Sequence, residues 1–383
     1  MTERKLASIR RIADLQPIEG ADAIEVATID GWKVVVKKNE FAVNDLAVYL
    51  EIDSFVPHEL AAFLSKGSEP RDYNGVKGER LRTIKLRGQV SQGLLLQKTV
   101  LDGFGTHYVN VDGDVPERWV TNDYKLAELI EGYDLTEFLG IQKWEAPLPA
   151  QLQGQAAGMF PTSLIPKTDQ ERIQNCFGDI QKKAKRLATE TVWDAELQRL
   201  DQRPVVLPAD FQEPTYEVTL KLDGSSCTIF RWEGELRVAS RNLELKINDE
   251  NKDNTFVAMA LKIGDKIPDG YAVQGEIWGE SIQGNKEGIR GQRFSVFDVF
   301  DIQKHEYLSP VDRRNLCKQL DIEHAPVLSE NWTAPSSIEE ALTLASGPSV
   351  NAKNREGIVY KCNEDPSFSF KVISNEWLLK HGE

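Results

Sequence analysis

From Tyr216 onward the chain is a succession of short runs rich in Val, Ile, Phe and Tyr, alternating with turns and a few helical stretches. Such runs, each closed by a turn signal, read as strands. The helical exceptions lie at residues 310–320 and 337–345, where Pro or Ser opens a periodic stretch. The pattern predicts an α+β domain of antiparallel sheets with flanking helices.

The first of these runs, residues 218–220, leads into Lys221-Leu222-Asp223-Gly224 and then Ser225-Ser226. If the strand continues, Lys221 and Asp223 share one face. An amine beside a carboxylate suits a lysine that attacks a nucleotide phosphate. Alone the tetrapeptide says little: a Lys-x-Asp-Gly string arises by chance in about one chain in ten of this length, and a strand entering an ordinary Asp-Gly turn explains it equally well.

The segments that follow, in order, give it weight: Ser240-Arg241-Asn242; Gln274-Gly275-Glu276-Ile277; Phe294-Ser295-Val296-Phe297-Asp298; Arg355-Glu356-Gly357-Ile358-Val359-Tyr360-Lys361; and Phe370-Lys371-Val372. The series resembles the covalent nucleotidyltransferase superfamily of ATP-dependent ligases and capping enzymes. Within it the chain resembles an ATP-dependent RNA ligase of the branch with an N-terminal OB-like domain. Pro166-Lys167-Thr168-Asp169-Gln170-Glu171-Arg172-Ile173-Gln174-Asn175 is similar to the start of the catalytic domain in that branch. The resemblance spans about residues 160 to 375 and, more weakly, 1 to 100.

The region ahead agrees with that branch. Strand-like runs at 24–29, 32–36, 46–52, 82–86 and 93–96, with an Asp30-Gly31 turn, suggest a small barrel. With the resemblance, it is expected to be an OB-like β-barrel, either contacting RNA or serving as a platform. Beyond it come a turn at Val111-Asp112-Gly113-Asp114, a helix expected near 124–130, and a stretch rich in Pro, Ala, Gln and Gly at 146–158. That stretch sets the expected division: 1–155, OB-like domain plus linker; 156–383, an adenylyltransferase (ATP-grasp-like nucleotidyltransferase) domain. Residues 170–200 carry helical spacing, with Ile173, Phe177 and Ile180 on one side.

Composition bounds the partners. A formal net charge of -14 is unfavourable for holding a polyanion at long range, so local basic stripes must do the work. Arg80-Leu81-Arg82-Thr83-Ile84-Lys85-Leu86-Arg87 and Lys182-Lys183-Ala184-Lys185-Arg186 are the candidates, although a charge run is more often a solvated face. Four scattered cysteines and five scattered histidines form no metal-ligand spacing. No stretch suits a membrane span, and the start lacks a signal-peptide core, so a cytoplasmic, monomeric protein with reduced thiols is expected.

The resemblance assigns the chemistry. Lys221 would attack the α-phosphate of ATP and become linked to AMP, which requires a neutral amine; at an ordinary pKa near 10.4 that costs about 4.6 kcal/mol at pH 7. Burial, a divalent ion and Lys371 are expected to lower it. Asp223, Glu276 and Glu356, a carboxylate set around one lysine, would hold Mg²⁺ (or Mn²⁺) through its hydration shell, with Glu276 and Glu356 also counted as catalytic. Arg241 and Asn242 would hold a phosphate, Phe297 would stack on adenine, and Lys361 and Lys371 would neutralise the α-phosphate. Thr219 and Leu220 complete the nucleotide site, Thr219 standing where many DNA ligases carry glutamate.

Many relatives have Lys-x-Lys in the last motif, whereas Ser369 and Ile373 flank Lys371 here. About a dozen residues follow Lys371 in this sequence, so a C-terminal OB domain of the kind typical of a DNA ligase or capping enzyme is not expected. The resemblance implies sealing of 3′-OH/5′-phosphate breaks, as nicks in duplexes with RNA on the 3′-OH side. A DNA ligase, a capping-type nucleotidyltransferase and a non-catalytic RNA-binding protein are the competing readings.

Overall fold

The structure, a computed structural model, describes residues 4–101, 107–109, 118–120, 131–144, 154–186, 189–194, 199–205, 207 and 209–381. The turn expected at 111–114 and the helix expected near 124–130 lie outside them. The chain divides into two compact units, residues 1–147 with 378–383, and residues 148–377.

In the first unit, Ala7–Arg11, Leu46–Leu50 and Leu94–Leu96 form one antiparallel sheet and Asp14–Pro17, Ile24–Ile29 and Trp32–Lys37 another. Asp30 and Gly31, at φ 44° and 80°, make the two-residue left-handed turn that matches strand twist in a tight hairpin. Ser54–Pro57, Val76–Arg80, Arg71–Tyr73 and Gln142–Lys143 form a four-stranded sheet, and Thr83–Leu86 pairs with Gln89–Gln92. Ile9, Val48, Leu50, Val56, Leu81 and Leu96 fill the core together with Leu135, Leu139 and Ile141. These short strands around one apolar centre are the small barrel that the spacing predicts.

The second unit holds two sheets. A seven-stranded sheet runs in the order Ala156–Met159, Leu243–Leu245, Glu235–Ser240, Ser225–Trp232, Tyr271–Gly279, Gln292–Asp301, Glu306–Tyr307. A five-stranded sheet runs Glu171–Arg172, Ser369–Ile373, Gly357–Cys362, Thr215–Lys221, Val327–Thr333. All neighbours are antiparallel except Glu171–Arg172, which lies parallel to Ser369–Ile373.

Alternation on the Thr215–Lys221 strand separates its two faces. Tyr216 and Val218 join Ile358, Tyr360, Phe370 and Val372 in a core under the helices Ile173–Lys183 and Ile338–Ala345. Glu217, Thr219 and Lys221 take the other face. Helix starts follow capping rules: Ser309 and Ser337 accept from the amides of Asp312 and Glu340, and Pro310 takes the first helical turn.

Two local expectations are corrected. The helix expected over 170–200 ends at Lys183, and Thr189–Asp194 then pairs with Arg199–Pro204 as a hairpin. Thr189, Thr191, Val192 and Trp193 are β-branched or aromatic, so strand propensity outweighs the helical spacing there. Likewise the first motif strand ends at Lys221, and Asp223 lies in the connection to Ser225–Trp232 rather than on the strand. The basis for placing Asp223 beside Lys221 is thus the crossing from one sheet to the other, not alternation.

Candidate active site

Lys221 is the last residue of its strand, opposite Gly357, so the residue before Gly357 comes alongside it. Lys221 Nζ lies 2.7 Å from Glu356 Oε1, the lysine side chain 26% exposed and the glutamate 8%. Leu222 buries itself against Leu220 and Trp278, which fixes the connection that carries Asp223. Gly224 is required by this crossing: a Cβ there would stand 2.2 Å from the Ile277 carbonyl oxygen and 2.9 Å from Glu276 Cγ. The glycine thus lets the Lys221 connection pass directly over the strand that bears Glu276.

Burial pulls the Lys221 amine down, but Glu356, Glu276 and Asp223 together outweigh it and hold the ammonium above its usual range. Protein groups by themselves therefore reverse the depression expected from the sequence. Burial raises the Glu276 carboxyl to about 8, with Glu356 and Asp223 adding to it and Lys221 and Arg241 opposing. Among the described residues no three His, Cys, Asp or Glu side chains are grouped to hold a metal ion directly. The donor set nevertheless fits a hydrated divalent ion: oxygen ligands only, three carboxyl groups gathered about one lysine.

The remaining predicted residues divide into three groups. Lys371 lies across from Val359, which lies across from Thr219, so alternation places Lys371 and the buried Thr219 on the Lys221 face. Phe297 is half-buried at the irregularity between Gln292–Asp301 and Tyr271–Gly279. Arg241 and Asn242 form a turn against the segment that opens the domain: Arg241 pairs with Asp169 at 2.6 Å and Lys167 Nζ donates to Asn242 Oδ1 at 3.1 Å.

Two residues are placed differently from the sequence reading. Lys361 is buried and ion-paired to Asp298, so its charge is already engaged within the protein; burial lowers it to about 8. Leu220 turns its side chain into the Leu222 and Trp278 cluster, and its amide donates to the Pro326 carbonyl at 2.9 Å.

Of the two basic stripes, the second is largely spent on internal ties. Lys183 pairs with Asp365 at 2.7 Å, and Arg186 holds the Ala334 and Pro335 carbonyls at 3.0 Å. In the first, Arg80 pairs with Asp53 at 2.7 Å, while Arg82, Lys85 and Arg87 are exposed. All four cysteines are buried free thiols, and no helix among the described residues is long and apolar enough to cross a membrane.

Sequence motifs did not flag Lys286, whose Nζ lies 3.0 Å from Asp223 Oδ2. Nor did they flag Arg313, which joins Glu217 to the motif residue Asp298 between the two sheets. Glu217 stands four positions before Lys221, a same-face strand spacing that could have pointed to it.

Comparison with known proteins matches residues 6–98 to an OB-fold domain and residues 214–373 to the RNA ligase family. No curated protein matches the chain. Among solved structures, the chain is similar to a mutant Naegleria gruberi RNA ligase with ATP and Mn, at 38% identity and a TM-score of 0.74, over 98% of each chain. It is equally similar to an apo mutant of that ligase, at 38% identity and 0.75 over 100% of this chain and 99% of the other. The same ligase with PPi gives 38% identity and 0.74 over 99% of each. With identity at this level across both domains, the chain belongs to the RNA ligase family, in the branch whose ligase domain follows an OB-fold domain.

Proposed function

We propose that this protein is an ATP-dependent ligase that joins a 3′-hydroxyl to a 5′-phosphate through a covalent lysyl-AMP on Lys221, sealing nicks in duplexes that carry RNA on the 3′-OH side. The observation that supports it best is the Lys221–Glu356 pair at 2.7 Å, set among Asp223 and Glu276, in a chain 38% identical over nearly its whole length to an RNA ligase solved with ATP and Mn.

In the first step Lys221 Nζ attacks the α-phosphorus of ATP. A nitrogen–phosphorus bond forms, the bond to pyrophosphate breaks and the amine gives up its proton. A Mg²⁺ or Mn²⁺ ion, when bound, supplies positive charge that offsets the carboxylates and the triphosphate. Asp223, Glu276 and Glu356 would hold it through its waters, and Glu356 also keeps the amine aimed. Lys371 neutralises the α-phosphate, Phe297 stacks on adenine, Thr219 lines the base, and the Arg241–Asn242 turn takes a phosphate.

In the second step an oxygen of the 5′-phosphate attacks the same phosphorus and Lys221 leaves, regaining its proton. In the third, the 3′-hydroxyl attacks the activated 5′-phosphate and AMP departs. Each step is an in-line displacement, so the protein's work is placement and charge compensation.

The test is incubation of the wild type and Lys221→Ala with α-labelled ATP and Mn²⁺, followed by denaturing electrophoresis. Label on the wild type alone is expected; a wild type unlabelled by ATP overturns the reading. Nicked duplexes with an RNA or a DNA 3′-end then test the substrate, and sealing is expected only with RNA at that end.

A further inference from the structure

The loop between Tyr271–Gly279 and Gln292–Asp301 is tightly built. Ser281, Gln283 and Asn285 all have positive φ, at 64°, 43° and 46°. Asn285 closes the loop on itself, donating through Nδ2 to the Ile289 carbonyl at 2.9 Å and accepting from the Ile289 amide at 3.2 Å. Ile289 packs against Leu220, Leu222 and Trp278. The buried Glu287 accepts from the Asn351 and Ala352 amides at 2.8 and 2.9 Å and from the Ser349 hydroxyl.

The residue between these anchors is Lys286. Its ammonium stands 3.0 Å from Asp223 Oδ2 and 4.6 Å from the centre of the Trp377 ring. Lys286 is 19% exposed and Asp223 12%, so the pair is well shielded from water. Around the nucleophile two carboxylates are thus matched by two amines: Glu356 by Lys221, and Asp223 by Lys286. A lysine held this way is not a mobile surface chain, and it adds a fixed positive charge beside Asp223.

We propose that Lys286 is a positioning residue of the ligase site, an internal counter-cation that holds Asp223 and weakens its attraction for a divalent ion. The inference rests on the assignment of Asp223 to that ion. Its consequence is that the nucleotide-free site binds the ion loosely, and the ion becomes firmly held only when triphosphate oxygens add to its ligands.

The test is Mn²⁺ titration of the full-length, nucleotide-free protein, with free ion followed by electron paramagnetic resonance. Lys286→Met keeps an apolar stem over Trp377 and removes the charge. It is expected to bind Mn²⁺ at least threefold more tightly than the wild type. Lys286→Arg should stay within twofold of the wild type. In an Asp223→Asn background the gain from Lys286→Met should vanish. Equal or weaker binding by Lys286→Met, or a gain that persists without Asp223, overturns the proposal. Labelling of the wild type by α-labelled ATP in parallel reports on lysyl-AMP formation separately: a failure there with the Mn²⁺ pattern intact removes the covalent mechanism and leaves the role of Lys286 standing.

Discussion

Glu217 and Lys221 stand four residues apart on one face of one strand, yet Glu217 is fully buried between Arg313 and Arg314 while Lys221 remains 26% exposed. Arg313 reaches from Glu217 on the five-stranded sheet to Asp298 on the seven-stranded sheet, 3.4 Å away. Arg314 ties Glu217 to Glu330 at 2.8 Å, and Lys361 completes Asp298. The charges balance, three carboxylates against three cations. His324 fits only as the neutral ring: Arg313 Nε donates to its Nε2 at 3.1 Å, so Nδ1 carries the proton and donates to the Ala325 carbonyl at 2.6 Å. Burial, with Arg313 adding to it, lowers His324 to about 4.

Arg313→Met removes the cation common to both sheets and leaves Glu217 and Asp298 undercompensated in the interior. Breaking one side of a buried ionic network costs about 3–5 kcal/mol. The expected result is a fall of that size in unfolding free energy by urea denaturation. A loss below about 1 kcal/mol would show that the cluster is not holding the sheets together.

Glu276 gives the second prediction. Its carboxyl, raised to about 8 by burial, keeps in the folded chain a proton that the unfolded chain has lost above its ordinary 4.5. Bound protons in excess on the native side make stability fall as pH rises, so the penalty develops between about 4.5 and about 8. A rise of that extent is worth at most ~5 kcal/mol at ~1.4 kcal/mol per pH unit, and solvent screening at a partly exposed group leaves on the order of 2 kcal/mol. Glu276→Gln in chelator should therefore gain on the wild type by that amount between pH 5 and pH 8.5. A difference that does not vary with pH would refute it.

Gly224→Ala gives the third. The added Cβ would meet backbone at the Ile277 carbonyl, 2.2 Å away, and backbone cannot rotate aside as a side chain can. The crossing must lift from the Glu276 strand, carrying Asp223 away from Lys286 and shifting Lys221. Overpacking of this kind costs about 1–3 kcal/mol. Lys221 adenylation is expected to slow by at least tenfold, measured as a single-turnover rate at saturating ATP. A wild-type rate would mean that the crossing has slack.

What the sequence made legible is what strands and caps encode locally. The Thr215–Lys221, Tyr271–Gly279 and Gly357–Cys362 strands form where the apolar runs of the motifs predict strands, because strand periodicity and turn residues are properties of a few neighbours. Ser309 and Ser337 mark their helices for the same reason. Lys286, Glu287 and Arg313 were not legible. They sit in a loop and on a helix without a motif, and their importance arises only when distant segments meet, Lys286 with Asp223 and Arg313 with Glu217. Lys361 shows the converse: its motif position suggested a phosphate, but Asp298, 63 residues earlier, takes its charge.

The barrel unit supplies the last prediction. Arg82, Lys85 and Arg87 are exposed on and beside the Thr83–Leu86 hairpin strand, with Ile84 and Leu86 exposed between them. In a chain of net charge -14, a concentration of free cations is where a nucleic-acid backbone gains most, by releasing counterions in proportion to the phosphates neutralised. If all three residues touch phosphates, changing them together to Ala should flatten the dependence of log affinity on log salt for a nicked duplex by about 2–3 units. Sealing should weaken while Lys221 labelling by ATP keeps its wild-type rate, because the nucleotide step needs no RNA. Binding measured by fluorescence anisotropy from 50 to 200 mM salt reads the slope. An unchanged slope would make this hairpin an ordinary solvated surface.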